Sequence, residues 1–128
     1  MNGNHAAQAI GKPAEEVFKT LVARGAKTGI NVFCIPVCCE LDLKKAAKAV
    51  GEKSVAMLPL SELTALTGYV RGGCSPIGMK KLFPTVIHIS AEEFETIIFS
   101  GGKIGYQVEL KLEDLKKVIR FELCDICD

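Results

Sequence analysis

Two β-rich runs, Phe18 to Ala23 and Ile30 to Val37, flank a turn from Gly25 to Gly29. Branched and aromatic runs of this length across a short glycine-bounded turn predict an antiparallel pair, and that pair commits the chain to a sheet-based core. The next segment, LKKAAKAV, repeats Leu43, Ala46, Ala47 and Val50 at helical spacing, with Asp42 in front and Gly51 behind. This pattern predicts a capped helix. Further on, Val55 to Leu58 reads as a short strand, and Ser61 is placed to cap a brief helix through Leu66 that Gly68 ends. Thr85 to Ile89 and Thr96 to Phe99 read as strands, with capping-box spacing at Ser90 and Glu93 between them. Tyr106 to Leu110 alternates like a half-buried strand, Leu112 to Ile119 is amphipathic at helical period, and Phe121 to Ile126 reads as a closing strand. Ahead of the first strand, Ala6 to Ile10 predicts a short helix stopped by Gly11, and Pro13 to Val17 another helical turn. Irregular alternation of strand and helix predicts an α+β fold. With 128 residues, 48% of them hydrophobic, and no repeat or linker, one compact domain spanning residues 1–128 is expected.

Composition narrows the function classes. Sixteen basic against fifteen acidic residues leave a net charge of +1, so any nucleic-acid contact must come from a local patch and not from a global field. No run approaches the roughly 18 apolar residues of a membrane span, and MNGNHAAQ lacks the basic and apolar regions of an export signal. A soluble, cytoplasmic protein is expected, with the six cysteines reduced and serving mostly as small core hydrophobes. Cys124 and Cys127 have CxxC spacing, yet no second pair follows, and His5 and His88 lie far off in sequence; no metal site is expected. A thiol redox centre is the rival reading of that pair, although such motifs ordinarily open a helix after a strand.

The stretch TGYVRGGCSPIGMKK, Thr67 to Lys81, packs glycine, proline and hydroxyl groups between apolar segments. Gly72 and Gly73 allow backbone amides to crowd against a carbonyl, an oxyanion or a phosphate. Pro76 stiffens the turn that Ser75 begins. An ordinary glycine turn is the competing reading of the same spacing. Phosphate-loop chemistry is not indicated, because Lys80 and Lys81 follow Met79 and not a glycine. No Ser-His-Asp triad emerges either, since His88 sits within an apolar strand pattern. Cys74 has no base beside it in sequence, so packing is its expected role. Lys19, between Phe18 and Thr20, either points into a pocket or snorkels from a strand.

Taken together, FKTL at Phe18 to Leu21, LKKAAK at Leu43 to Lys48, GYVRGGCSPIGMKK, EFETI and SGGKIG resemble the YbaK/EbsC aminoacyl-tRNA deacylases, from about Ala6 to Ile126. The resemblance implies a mixed, curved, barrel-like sheet surrounded by short helices, like the editing domain of prolyl-tRNA synthetase. It implies trans-editing hydrolysis of mischarged Cys-tRNA(Pro), with Cys-tRNA(Cys) or Ala-tRNA(Pro) as related substrates and no cofactor. Lys19, Gly72 and Gly73 are then the expected catalytic residues, and Thr20, Ser75, Pro76, Ser100, Gly101 and Gly102 the expected substrate contacts. Lys44, Lys45, Lys48, Arg71, Lys80 and Lys81 are the candidate phosphate contacts for tRNA, a merely solvated helix face being the alternative for the first three. In the cysteine-specific members the inferred mechanism is substrate-assisted, the thiol of the esterified cysteine attacking its own carbonyl. The partners implied are tRNA(Pro), tRNA(Cys) and prolyl-tRNA synthetase. Family members usually carry a further helix and strand before the part matching His5 to Phe18, so an exposed edge and self-association into a homo-oligomer are also expected. The competing function is a non-catalytic tRNA- or synthetase-binding module.

Overall fold

The computed structural model describes residues 13–128; the expected Ala6–Ile10 helix, its Gly11 stop and His5 lie outside them. A 3-10 turn, Ala14–Glu16, leads into strands β1 (Phe18–Gly25) and β2 (Gly29–Pro36). Helix α1 (Leu43–Val50), strand β3 (Val55–Met57) and helix α2 (Leu60–Thr67) follow. After the glycine loop come β4 (Thr85–His88), a 3-10 turn at Ile89–Glu93, β5 (Ile97–Ser100), β6 (Gln107–Leu110), α3 (Leu112–Leu115) and β7 (Glu122–Cys124).

The expected hairpin forms: β1 and β2 pair antiparallel without interruption from Phe18 opposite Pro36 to Gly25 opposite Gly29. β3 extends the β1 side antiparallel, while β4 joins β2 and β7 joins β4, both parallel. The five-stranded order is therefore β3-β1-β2-β4-β7, and β5 and β6 make a separate two-stranded sheet. A parallel bridge from Val17 to Ile98 ties the two sheets together. The architecture is mixed α+β, and the larger sheet is open, with β3 and β7 at its edges.

β2 is the middle of this sheet and is buried on both sides. Phe33 and Ile35 pack with Ala46 and Ala47 of α1, Val55, Val86 and Ile126. Val32 and Cys34 pack on the opposite side with Phe18, Ile87, Phe99, Leu115 and Ile119. Continuous apolar character, without polar alternation, is what a strand covered on two faces requires. α1 begins where Asp42 Oδ1 accepts hydrogen bonds from the backbone N–H groups of Lys44 and Lys45, at 2.9 and 3.1 Å. It ends at Gly51, and its alanines face the sheet.

Three local expectations are corrected. α2 starts at Leu60 behind Pro59, and Ser61 lies inside its first turn, not at its cap; the fixed φ of proline already provides the extended entry. Ser90 and Glu93 form no capping box, because Ile89–Glu93 is a 3-10 turn with His88 at its start and no side-chain cap. α3 stops at Leu115, and i→i+3 bonds from Lys117 to Asp114 and from Val118 to Leu115 bend the chain instead. That bend lets Leu115 and Ile119 enter the same core. Among the described residues no helix is long and apolar enough to cross a membrane.

Phe33 has no exposed surface at the centre of this packing. Replacing it with alanine should destabilise the protein by about 3–5 kcal/mol, read from urea denaturation. The Asp42 cap gives a second test. The Lys45 N–H, more than the Lys44 N–H, holds the Asp42 carboxyl below its ordinary value of 3.8. A depressed carboxylate stabilises the fold above its unfolded pKa and loses that contribution as pH falls through the folded value. Asp42→Asn, which still caps, should therefore flatten the loss of stability below about pH 4, measured by thermal melts across pH.

Candidate functional site

Gly68 ends α2, and the chain then crosses toward the Ser100–Gly102 turn that follows β5. The approach is close. A Cβ on Gly73 would lie 3.2 Å from the Ile104 backbone nitrogen, and one on Gly102 would lie 3.1 Å from Tyr69 Cε1. Gly102 also has φ +108°, a conformation that side chains disfavour. The two glycine turns, thirty residues apart in sequence, thus pack directly against each other. Their hydroxyl groups staple the loops internally: Ser75 Oγ accepts from Ile77 N and Ser100 Oγ from Gly102 N, each at 3.2 Å. Tyr69 donates its hydroxyl to Ile77 O at 2.5 Å. Thr67 donates to Leu63 O at 2.8 Å and accepts from Tyr69 N at 3.0 Å. Ser75 and Pro76 are buried, whereas Gly72 faces solvent.

Lys19 stands opposite Ile35 in the β1–β2 register. The parallel bridge between Val17 and Ile98 brings the start of β1 to β5, and two residues further along each strand the same face carries Lys19 and Ser100. Lys19 is half-buried and has no hydrogen-bond or ion-pair partner among the described residues. Thr20 leaves the strand on the other face, where its Oγ1 lies 3.7 Å from Cys34 Sγ. Lys19 and Thr20 are therefore neighbours in sequence that serve opposite sides of the sheet.

Cys74 sits in the core with Val22 and Leu58. Burial pushes the Cys34 thiol up to about 12 and the Cys74 thiol up to about 11, so both remain neutral and neither is a ready nucleophile. Cys127, also raised to about 12 by burial, lies in the core beneath α1 with Cys39 and Cys124 at its margin. All six cysteines are free, and among the described residues no group of His, Cys, Asp and Glu is arranged to hold a metal ion. His88 Nδ1 accepts a hydrogen bond from Ile126 N at 3.2 Å, which makes it a tether for the segment that follows β7.

The basic residues divide. Lys44 and Lys48 are exposed on α1, but Lys45 is engaged with Asp125 at 3.0 Å and with the Cys127 carbonyl at 2.8 Å. Arg71 and Lys81 are exposed on the loop, and Lys80 Nζ reaches back to Ala65 O at 3.3 Å. α1 packs against the Phe33 face of the sheet while Cys74 packs with Val22 on the other, so the two sets of cations approach from different sides. A cavity of about 660 Å³ lies at the hairpin end of the sheet, between Val50, Phe83 and Phe121. Pro76 and Lys81 line it, but Lys19, Gly72, Gly73 and Ser100–Gly102 do not.

Sequence reasoning passed over Tyr69, Lys103, Ile104 and Tyr106, which complete the contact between the two turns. The available signal was an aromatic residue inside each glycine-rich segment, GYVRGG and GGKIGY.

Residues 4–118 match the family model of the aminoacyl-tRNA editing domain. Over 126 residues the chain is 48% identical to the "Putative Cys-tRNA(Pro)/Cys-tRNA(Cys) deacylase EbsC" of Enterococcus faecalis, covering 98% of this chain and 77% of that protein. It is also 28% identical over 103 residues to a proline-tRNA ligase of Shouchella clausii, covering 80% of this chain and 18% of the ligase. The solved structure described as a "putative trans-editing enzyme for prolyl tRNA synthetase" superposes with a TM-score of 0.89 at 25% identity, covering 99% of this chain and 80% of that one.

The thiol environments predict an order of labelling. In native protein at pH 8, Ellman's reagent should modify exposed Cys38 before any other thiol, whereas Cys34, Cys74 and Cys127 should react only after urea is added. Peptide mapping of the labelled protein reads the order, and early modification of Cys34 or Cys74 would contradict their buried, neutral state.

Proposed function

This chain belongs to the aminoacyl-tRNA editing domain family, and from that premise we propose that it is a trans-editing deacylase of mischarged tRNA, acting on Cys-tRNA(Pro) and on Cys-tRNA(Cys). The observation that carries the reading is the 48% identity, over nearly the whole chain, to a relative bearing that name. The approach of the two glycine turns, with the unpartnered Lys19 on the strand face that Ser100 shares, supports it. The whole chain acts as one deacylase domain in the cytoplasm, taking its substrate from prolyl-tRNA synthetase; the likeness to a proline-tRNA ligase supports that partnership.

The reaction needs no nucleophile from the protein. The cysteinyl thiol attacks its own ester carbonyl, a carbon–sulfur bond forms, the carbon–oxygen bond to the ribose breaks, and the thiol proton ends on the ribose hydroxyl. The cyclic thioester that leaves is then hydrolysed in water. What the protein must supply is a folded substrate geometry and donors for the developing oxyanion. The exposed Gly72 amide fills the second role, because Gly73 N already donates to Val70 O at 3.0 Å and shapes the turn that presents it. Lys19 orients the ester electrostatically from the Ser100 side, and the Ser100 hydroxyl, whose oxygen already accepts from Gly102 N, keeps its proton for the substrate. Thr20 and Ser75 support the pocket from behind, and Gly101 with Gly102 shapes its wall. Neutral thiols at Cys34 and Cys74 accord with a substrate-assisted route.

Labelled Cys-tRNA(Pro) and Ala-tRNA(Pro), incubated with the wild-type chain and with Lys19→Ala, test this reading. Cysteine should be released, alanine should not, and Lys19→Ala should lose at least about a hundredfold in rate with an unchanged melting temperature. Equal hydrolysis of both substrates would remove the requirement for the substrate thiol. Hydrolysis of neither, with tRNA still bound, would replace the enzyme by a binding module.

A further inference from the structure

The chain has six phenylalanines, two tyrosines and no tryptophan, and their distribution is uneven. Phe18, Phe33 and Phe99 are core residues, and Phe83, Phe94, Phe121 and Tyr69 are half-buried. Tyr106 alone is an exposed aromatic, at 65%. Its position is fixed at both backbone groups: Tyr106 N donates to Lys103 O at 3.0 Å, and Tyr106 O accepts from Gly101 N at 2.8 Å. The ring is therefore carried on the Ser100–Gly102 turn itself. Lys103 Nζ lies 5.8 Å from the ring centroid, near enough to hold one face by a cation–π contact.

The surroundings of this ring differ from an ordinary solvated surface. Ile104, 57% exposed, is the nearest side chain to Gly72, and Val70, 50% exposed, immediately precedes Arg71 and that glycine. Neither Arg71 nor Lys103 has a carboxylate within ion-pair distance among the described residues. An open aromatic face, apolar neighbours and two cations without carboxylate partners at the mouth of a site form the combination that holds unpaired nucleotides. The ring stacks a base, and the cations meet the backbone phosphates.

We propose that Tyr106 is the stacking platform for the unpaired terminal base of the RNA that carries the aminoacyl ester, with Arg71 and Lys103 on the adjoining phosphates. The inference rests on the deacylase reading, because it is the ester at Gly72 and Gly73 that sets where the base must fall. The ester is attached to the ribose of that same nucleotide, so its base lies within one sugar of the reacting carbonyl. Tyr106 is on the turn that forms the other wall of the site. A base laid on the free face of the ring anchors the RNA end and leaves the ester beside the exposed Gly72 amide. Stacking is indifferent to base edge, so this contact provides affinity, and discrimination among amino acids stays with the pocket.

Uncharged acceptor-stem RNA hairpins, intact or lacking the terminal nucleotide, test the proposal with the full chain and its Tyr106→Phe and Tyr106→Ala variants. Because the chain has no tryptophan, tyrosine emission in a Tyr69→Phe background reports on Tyr106 alone. Intact RNA should quench that emission and the shortened RNA should not. Tyr106→Ala should bind intact RNA about tenfold more weakly, Tyr106→Phe should bind as the wild type does, and removal of the terminal nucleotide should abolish the difference. On charged RNA, Tyr106→Ala should raise KM by a similar factor with little change in kcat. Equal binding of intact RNA by wild type and Tyr106→Ala, or an equal loss with the shortened RNA, would overturn the proposal. Failure of the wild-type chain to hydrolyse Cys-tRNA(Pro) would sink the deacylase reading, and the binding arm would still decide the stacking contact by itself.

Discussion

The burial of β2 on both faces is the constraint from which the rest of the structure follows. Phe33 and Ile35 are held by α1 and the last strand, Val32 and Cys34 by Phe18, Phe99 and the turn after α3. A strand so enclosed has one permitted register, because a slip of one residue would exchange its two faces. β1 inherits that register through an unbroken antiparallel ladder. Placing Phe18 in the core forces Lys19 to the opposite side and returns Thr20 to the side of Cys34. The separation of the lysine from the threonine is thus a consequence of core packing.

The small sheet converts that register into a site. Val17 bridges to Ile98, which carries the end of β5 and the Ser100 turn to the start of β1. The glycine loop meets the same turn from the far side, backbone against backbone, at Gly73 and Ile104. A side chain at Gly73 would hold the segments apart. Interior and rim then acquire different chemistry. Inside, desolvation keeps the thiols of Cys34 and Cys74 protonated. Outside, Arg71 and Lys103 have no acidic partner within ion-pair distance among the described residues. A neutral interior behind a cationic rim suits a substrate whose reacting end is small and whose remainder is a polyanion.

The fate of the lysines shows why a charge pattern alone is a poor guide to function. Lys44, Lys45 and Lys48 read as one helical face, yet Lys45 is used to clamp the C-terminal residues through Asp125 and the Cys127 carbonyl. Lys80 returns to the carbonyl end of α2. Only contacts between segments distant in sequence separate a cation that is free from one that is committed.

Features governed by neighbours along the chain were readable from the residues. The hairpin, the Asp42-capped helix, the β-branched runs that became β4 and β5, and the two glycine segments all depend on interactions within a few positions. Together with family resemblance they were enough to bring Lys19, Gly72, Gly73 and Ser100 forward as candidates. Where tertiary packing competes with local preference, the reading failed. A 3-10 turn stands in place of the Ser90–Glu93 box, and α3 is cut short so that Leu115 and Ile119 share a core, whereas at α2 a nearer local signal, Pro59, starts the helix ahead of Ser61. Tyr106 had no sequence signature beyond its glycine-rich setting, because its exposure is set by the close packing of two turns about thirty residues apart. Local pattern dictates most of the elements and which residues carry suitable chemistry. Packing selects which of them meet and on which face each stands, because register and burial are properties of the assembled sheet and not of any one segment.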